Sequence, residues 1–127
     1  MSEPTKQHIQ VEVINGVAVV RMLDPEIREV FGEHNDVQEI GEQLYNLVEE
    51  KGFDKIVINF AEVHYMASIM LGKLIGLKRK TQKTGGAIRC CHLNPGIKEV
   101  FRVAALDRIF DIDPDEHASL DAFEEKA

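Results

Sequence analysis

Ile56-Val57-Ile58-Asn59-Phe60-Ala61-Glu62-Val63-His64-Tyr65-Met66-Ala67-Ser68-Ile69-Met70-Leu71-Gly72 is the stretch on which the reading of this chain turns. Its first five residues are a short apolar run, suited to a buried strand. After a connection, Ser68 opens a helix whose Leu71, Leu74, Ile75 and Leu77 give it a broad apolar side. Lys78, Arg79, Lys80 and Lys83 follow, cations that suit a helix C-terminus, and Gly85-Gly86 ends it. Ala87 to Leu93 is the next strand.

The pattern continues on both sides of this stretch. Upstream, Asp36 can cap a helix carrying Val37, Ile40, Leu44, Leu47 and Val48 at helical spacing, with Gly52 as a stop. Glu39, Glu42, Glu49 and Glu50 on that helix read as solvated surface. Further upstream, His8 to Asn15 alternates polar His8, Gln10 and Glu12 with apolar Ile9, Val11 and Val13, the period of a half-buried strand. Asn15-Gly16 is a dipeptide suited to a two-residue hairpin, and Val17 to Leu23 is the returning strand. Asp24 to Asn35 has no clear period and reads as a connection that can hold a turn of helix.

Downstream, Asn94-Pro95 places a cap and a first-turn proline before a short helix of Ile97, Val100 and Phe101. Arg108 to Ile112 suits a last strand, and Asp113-Pro114-Asp115-Glu116 has the form of a capping box opening a terminal helix through Phe123. The order β-β-α-β-α-β-α-β-α implies an α/β domain: a mixed β-sheet after an initial hairpin, with helices packed mainly on one face. A single domain over residues 5–124 accounts for the pattern.

Composition narrows the function. At 127 residues, 44% hydrophobic and 29% charged, the chain suits one soluble globular core. Acidic residues outnumber basic ones by 22 to 15, and no basic stripe is interleaved with aromatics, which argues against direct nucleic-acid binding. No apolar run approaches the roughly 18 residues of a membrane span, and Met1 to Gln10 lacks the regions of a signal peptide, so the cytoplasm is the expected compartment. Cys90 and Cys91 are strand neighbours pointing to opposite faces and read as reduced core or near-core thiols. Cys90-Cys91-His92 is too local for a tetrahedral metal site. No phosphate-cradling glycine loop is present, and no cofactor is expected. Gly72 and Gly76 are read as allowing the second long helix to pack closely on the sheet.

The apolar strand ending in Asn59, the loop, and the helix opening at Ala67-Ser68-Ile69-Met70-Leu71-Gly72 resemble the signature of the STAS family, as do Gly85-Gly86 and Asn94-Pro95-Gly96-Ile97-Lys98-Glu99-Val100-Phe101 with Leu106. The resemblance covers nearly the whole chain and implies a single STAS-type domain that works by docking, not by catalysis. It further implies an anti-sigma factor antagonist in a partner-switching pathway. Such a protein binds an anti-sigma factor that is also a serine kinase, is released when phosphorylated, and is restored by a serine phosphatase. Ser68 aligns with the family's usual phosphoacceptor, and Met66, Ala67, Ser68, Ile69 and Met70 form the implied partner-binding segment. From the residues alone, Ser68 reads first as an N-cap worth about 1 kcal/mol, and it is the resemblance that brings in the phosphoacceptor.

Two departures from the signature favour other readings. Ala67 stands where the family has Asp, and Ile69-Met70 replaces Ser-Gly. These suit a STAS docking or scaffold module that is not phosphorylated, including a transporter's regulatory subunit. His64, four residues before Ser68, with Glu62 nearby, raises a third reading: a small-ligand sensor or a hydrolase with a Ser-His pair.

Overall fold

The computed structural model describes residues 6–29 and 35–125. Thr5, the first residue of the expected domain, lies outside them, as do His34 and part of the expected Asp24 to Asn35 connection. The elements run β1 (Ile9–Ile14), β2 (Val17–Met22), β3 (Glu26–Ile27), α1 (Asp36–Glu49), β4 (Lys55–Asn59) and β5 (Tyr65–Met66). They continue with α2 (Ser68–Lys83), β6 (Ala87–Cys91), α3 (Pro95–Val103), a 3-10 turn at Leu106–Arg108, β7 (Asp111–Asp113) and α4 (Glu116–Glu125).

Asn15 and Gly16 both take positive φ, 51° and 79°, the pair of left-handed conformations whose twist matches a tight hairpin. They join β1 to β2 in an antiparallel ladder with Ile14 opposite Val17 and Ile9 opposite Met22. Each later strand of the main sheet is reached through a helical crossover, and its pairing is parallel. The order is β1-β2-β4-β6-β7, five strands of mixed direction. The expected element order therefore holds, with the addition of β3 and β5, which pair with each other in a separate two-stranded ladder.

Strand alternation divides the core in two. Ala18, Val20, Ile56, Ile58, Ile88 and Cys90 face α1, α2 and α3, whose Ile40, Leu44, Met70, Leu74, Leu77, Ile97 and Phe101 close the larger core. Phe60 and Phe101 meet edge to face in it, their centroids 5.7 Å apart. Val17, Val19, Val57 and Cys91 face the other way, under Phe123 and Leu120 of α4. Three helices on one face and one on the other is the asymmetry the sequence implies. Each large side chain buried in these layers contributes about 1.5–3 kcal/mol.

Several expectations are corrected. Asn35, not Asp36, caps α1, its side chain accepting from the Gln38 amide. The capping box at Asp113 does not form: Asp115 caps α4 by accepting from the Ala118 amide. Glu116 instead takes two hydrogen bonds from Arg21 and one from Asn59, tying α4 to β2 and β4. The last strand starts at Asp111, because Leu106–Arg108 winds into the 3-10 turn. The alternation of β1 misleads: His8 is fully buried, while Val11 and Val13 are exposed. Glu39 is buried as well, not solvated.

Gly76 is required by α1, not by the sheet. A Cβ there would lie 2.3 Å from the Tyr45 hydroxyl, which donates to the Lys73 carbonyl at 3.0 Å. Gly72 has open space around it and no such role.

Candidate functional site

The route from β4 to α2 is fixed by backbone groups and two asparagines. Asn59 accepts from the Ala61 amide at 2.8 Å and turns the chain out of the strand. Asn94, which caps α3 through the Ile97 amide, also donates to the Val63 carbonyl. Past this point the chain is held from the other side by β3. The amides of His64 and Tyr65 both donate to the Pro25 carbonyl, at 2.7 and 3.2 Å, and the Ala67 amide donates to the Ile27 carbonyl at 2.8 Å. These bonds deliver Ala67 in an extended conformation, φ −60° and ψ 142°, from which α2 starts.

The cap position of α2 is thus Ala67, and Ser68 is the first helical residue. The N-cap reading of Ser68 is corrected. Alanine has no acceptor, so no side chain caps α2, and its first turn carries no carboxylate. The amides at the start of this 16-residue helix keep the partial positive charge that favours an anion.

The five residues of the expected segment fall on two sides. Ser68 and Ile69 are exposed, Ile69 by 49%. Met66, Ala67 and Met70 are buried, Met70 completely, in the larger core. Tyr65 joins the exposed set at 48%, and the Arg28 guanidinium lies 5.2 Å from its ring centroid while pairing with Glu26. Tyr65 and Arg28 escape a reading of the sequence because two-residue strands have no period to detect. Their one signal is that Tyr65 and Met66 adjoin, so one of the two must point outward.

The Ser-His geometry does not form. Glu62 and His64 are exposed, and among the described residues no hydrogen bond joins either to Ser68. His64 instead lines an open groove of about 430 Å³ with Lys6, Asp24, Pro25, Glu26 and Asp36. The cysteines are core groups on opposite faces. Burial pushes the Cys91 thiol up to about 12, with the Glu116 charge adding to it, and burial raises Cys90 further, next to Cys91.

A family model for the STAS domain matches residues 8–119, and the chain belongs to that family. Its fold is shared by several solved structures. An anti-sigma-factor antagonist (STAS) domain protein from Planctomyces limnophilus superposes with a TM-score of 0.77 at 18% identity, covering 90% of this chain and 95% of its own. An anti-sigma factor antagonist from Mycobacterium paratuberculosis gives 0.76 at 23% identity, over 96% and 97% of the two chains. The Bacillus cell fate determinant SpoIIAA in its phosphorylated form gives 0.67 at 21% identity, over 91% and 98%. Among the described residues, no helix is long and apolar enough to cross a membrane.

Proposed function

We propose that this chain is an anti-sigma factor antagonist that docks on an anti-sigma factor with serine kinase activity and is regulated by phosphorylation at Ser68. It acts in the cytoplasm, by binding and without a cofactor, and a serine phosphatase returns it to the binding state. One observation carries the reading: Ser68 stands exposed as the first residue of α2, above uncapped amides and between exposed Tyr65 and Ile69. A protein of the same fold, SpoIIAA, has a phosphorylated and an unphosphorylated form.

The chemistry at this position separates helix stability from binding. A phosphate on Ser68 sits at the positive end of the α2 dipole, so the helix persists. Its charge of about −1.5 to −2 falls beside apolar Ile69 and Tyr65, and docking would have to strip its hydration. Ser68 and Ile69 then touch the partner directly, while Met66, Ala67 and Met70 hold the helix start from beneath. Incubation with the cognate kinase and ATP, followed by intact-mass measurement, tests this. One phosphate on the wild type and none on Ser68→Ala is expected; an unmodified wild type would sink the switch.

A second reading keeps the fold and the surface but drops the phosphate, making the chain a constitutive docking or scaffold module, for example a transporter's regulatory subunit. Ala67 favours it, since it stands where the family has an aspartate that could orient the serine, and the first turn of α2 carries no carboxylate of its own. Unchanged partner affinity in Ser68→Asp would select this reading over the first.

A further inference from the structure

The two edges of the main sheet differ in how they meet solvent. In the order β1-β2-β4-β6-β7 the far edge, β7, is three residues long and carries Asp111 and Asp113, the short charged form that discourages a further strand. β1 has none of these defences. It runs for six residues, Ile9–Ile14, with no proline and no lysine, and its one charged residue, Glu12, is paired with Arg21 at 2.9 Å. Among the described residues, no other strand pairs with its outer side.

The hairpin fixes which backbone groups face outward. The Leu23 amide donates to the His8 carbonyl, so the even-numbered residues of β1 are the ones that exchange bonds with β2 in the antiparallel ladder. The amides and carbonyls of Ile9, Val11 and Val13 are therefore turned away from the sheet. The Ile9 carbonyl accepts from the exposed Gln7 side chain at 3.0 Å and keeps a second lone pair. The side chains of the same three residues share the face on which Ile9 joins the larger core, and their exposure rises along the strand: Ile9 7%, Val11 38%, Val13 55%. Ile9 and Val11, with Gln43, Asn46, Leu47 and Lys51, line a groove of about 240 Å³. The strand thus has a depression beside one end and a bare valine at the other.

We infer that β1 pairs with β1 of a second copy of this chain, antiparallel and centred on Val11, so that the sheet continues across a twofold axis. In that register Val11 lies opposite Val11 of the second copy, and Val13 lies opposite its Ile9. Every outward amide of Ile9, Val11 and Val13 meets an outward carbonyl. Each exposed Val13 is carried to the Ile9 end of the other copy's groove, and the exchange is reciprocal, as a twofold contact requires.

The charges select both this register and this occupant. On the opposite face of the strand Gln10 stands across from Glu12 of the second copy, an amide donor beside a carboxylate. Moving the centre to Glu12 would set two carboxylates against each other, and moving it to Gln10 would carry Val13 past Ile9 to Gln7. The chain as a whole is acidic, 22 acidic residues to 15 basic, so most of its surface repels a second copy. Another groove along α1 carries Glu42, Glu49 and Glu50. The groove beside β1 has no carboxylate in its lining, its polar residues being Gln43, Asn46 and Lys51. A contact built on one six-residue strand per copy belongs to the small class of interfaces, below about 1,200 Å², so the pair is expected to be weak and concentration-dependent. Neither Ser68 nor a kinase takes part, and the pairing stands or falls apart from the proposed function.

Sedimentation equilibrium and cysteine cross-linking of the purified chain test it. The wild-type mass is expected to rise from one chain toward two as concentration approaches about 1 mM. Val13→Lys alters an exposed side chain and puts a charge into the other copy's apolar groove, so it should weaken association by about tenfold or more with Tm unchanged. The native cysteines are buried, so an introduced thiol reports alone. Residues opposed in a hydrogen-bonded antiparallel pair have Cα atoms about 5.5 Å apart, within disulfide range, whereas the two copies of residue 13 would be about 14 Å apart. Under mild oxidation Val11→Cys is therefore expected to form a linked dimer about tenfold or more faster than Val13→Cys, although Val13 is the more exposed. This comparison does not depend on how Val13→Lys folds. A wild type that stays a single chain at every concentration would leave the edge to some other partner and overturn the inference. So would a dimer that folded Val13→Lys leaves intact, or linkage through residue 13 as fast as through residue 11.

Discussion

Ile69 and Met70 are adjacent in sequence and face opposite environments, and substituting each by alanine separates surface from core at the proposed docking site. Met70 is 0% exposed and packs in the larger core, so Met70→Ala removes buried methylene and sulfur atoms and leaves a cavity. Such truncations cost about 2–5 kcal/mol. For a chain of this size, a loss of 1 kcal/mol lowers Tm by about 4 °C, giving an expected fall of about 8–20 °C. Ile69 is 49% exposed at the first turn, and Ile69→Ala should change stability by less than about 0.5 kcal/mol, because alanine is also the better helix former. Affinity for the partner should show the opposite order. Urea unfolding of the two variants gives stability, and titration of the partner below each variant's unfolding range gives affinity. The reasoning fails if Met70→Ala costs less than about 1 kcal/mol, or if Ile69→Ala binds the partner as well as the wild type does.

Three further outcomes follow from the packing and the charges. Gly76→Ala should destabilise by about 1–2 kcal/mol, the Tyr45 hydroxyl clash outweighing the gain of about 1 kcal/mol in helix propensity. In a Tyr45→Phe background most of that loss should vanish, and an equal cost in both backgrounds would refute the clash. The hydrogen bonds from Arg21 hold the Glu116 carboxyl below the usual carboxylate range, helped by Asn59 and opposed by burial. A depressed folded-state pKa contributes stability that is present above the ordinary carboxylate value and lost as pH falls through the folded one. The stability gap between wild type and Glu116→Gln should therefore narrow below about pH 4, and a gap that stays constant from neutral pH down to acid would contradict this. Finally, Cys90 and Cys91 should resist alkylation in the native protein at mildly alkaline pH and react once it is unfolded, since burial raises both thiols. Rapid native labelling of either would show that its strand opens.

Much of the architecture could be read from local pattern. The Asn15-Gly16 turn, the apolar run of β4, the stripes of α1 and α2 and the Asn94-Pro95 start of α3 each carry a signal within a few residues. The start of α2 was legible too, because a polar residue followed by a helical apolar period marks a helix opening. The partition of that site was not: burial of Met66, Ala67 and Met70 against exposure of Tyr65, Ser68 and Ile69 depends on what β3 and the sheet cover. β3 and β5 are two residues each and have no period, so only their mutual pairing makes them visible.

The sequence by itself determined the order of elements, the mixed sheet and a serine at the opening of its second long helix, because turn chemistry and hydrophobic period act over short spans. Tertiary structure alone decided which polar groups are interior. His8 meets Asp24 and Glu39 from 16 and 31 residues away, and it is those partners that make its burial tolerable. Read locally, all three are surface residues; only the fold brings a carboxylate to each ring nitrogen of His8.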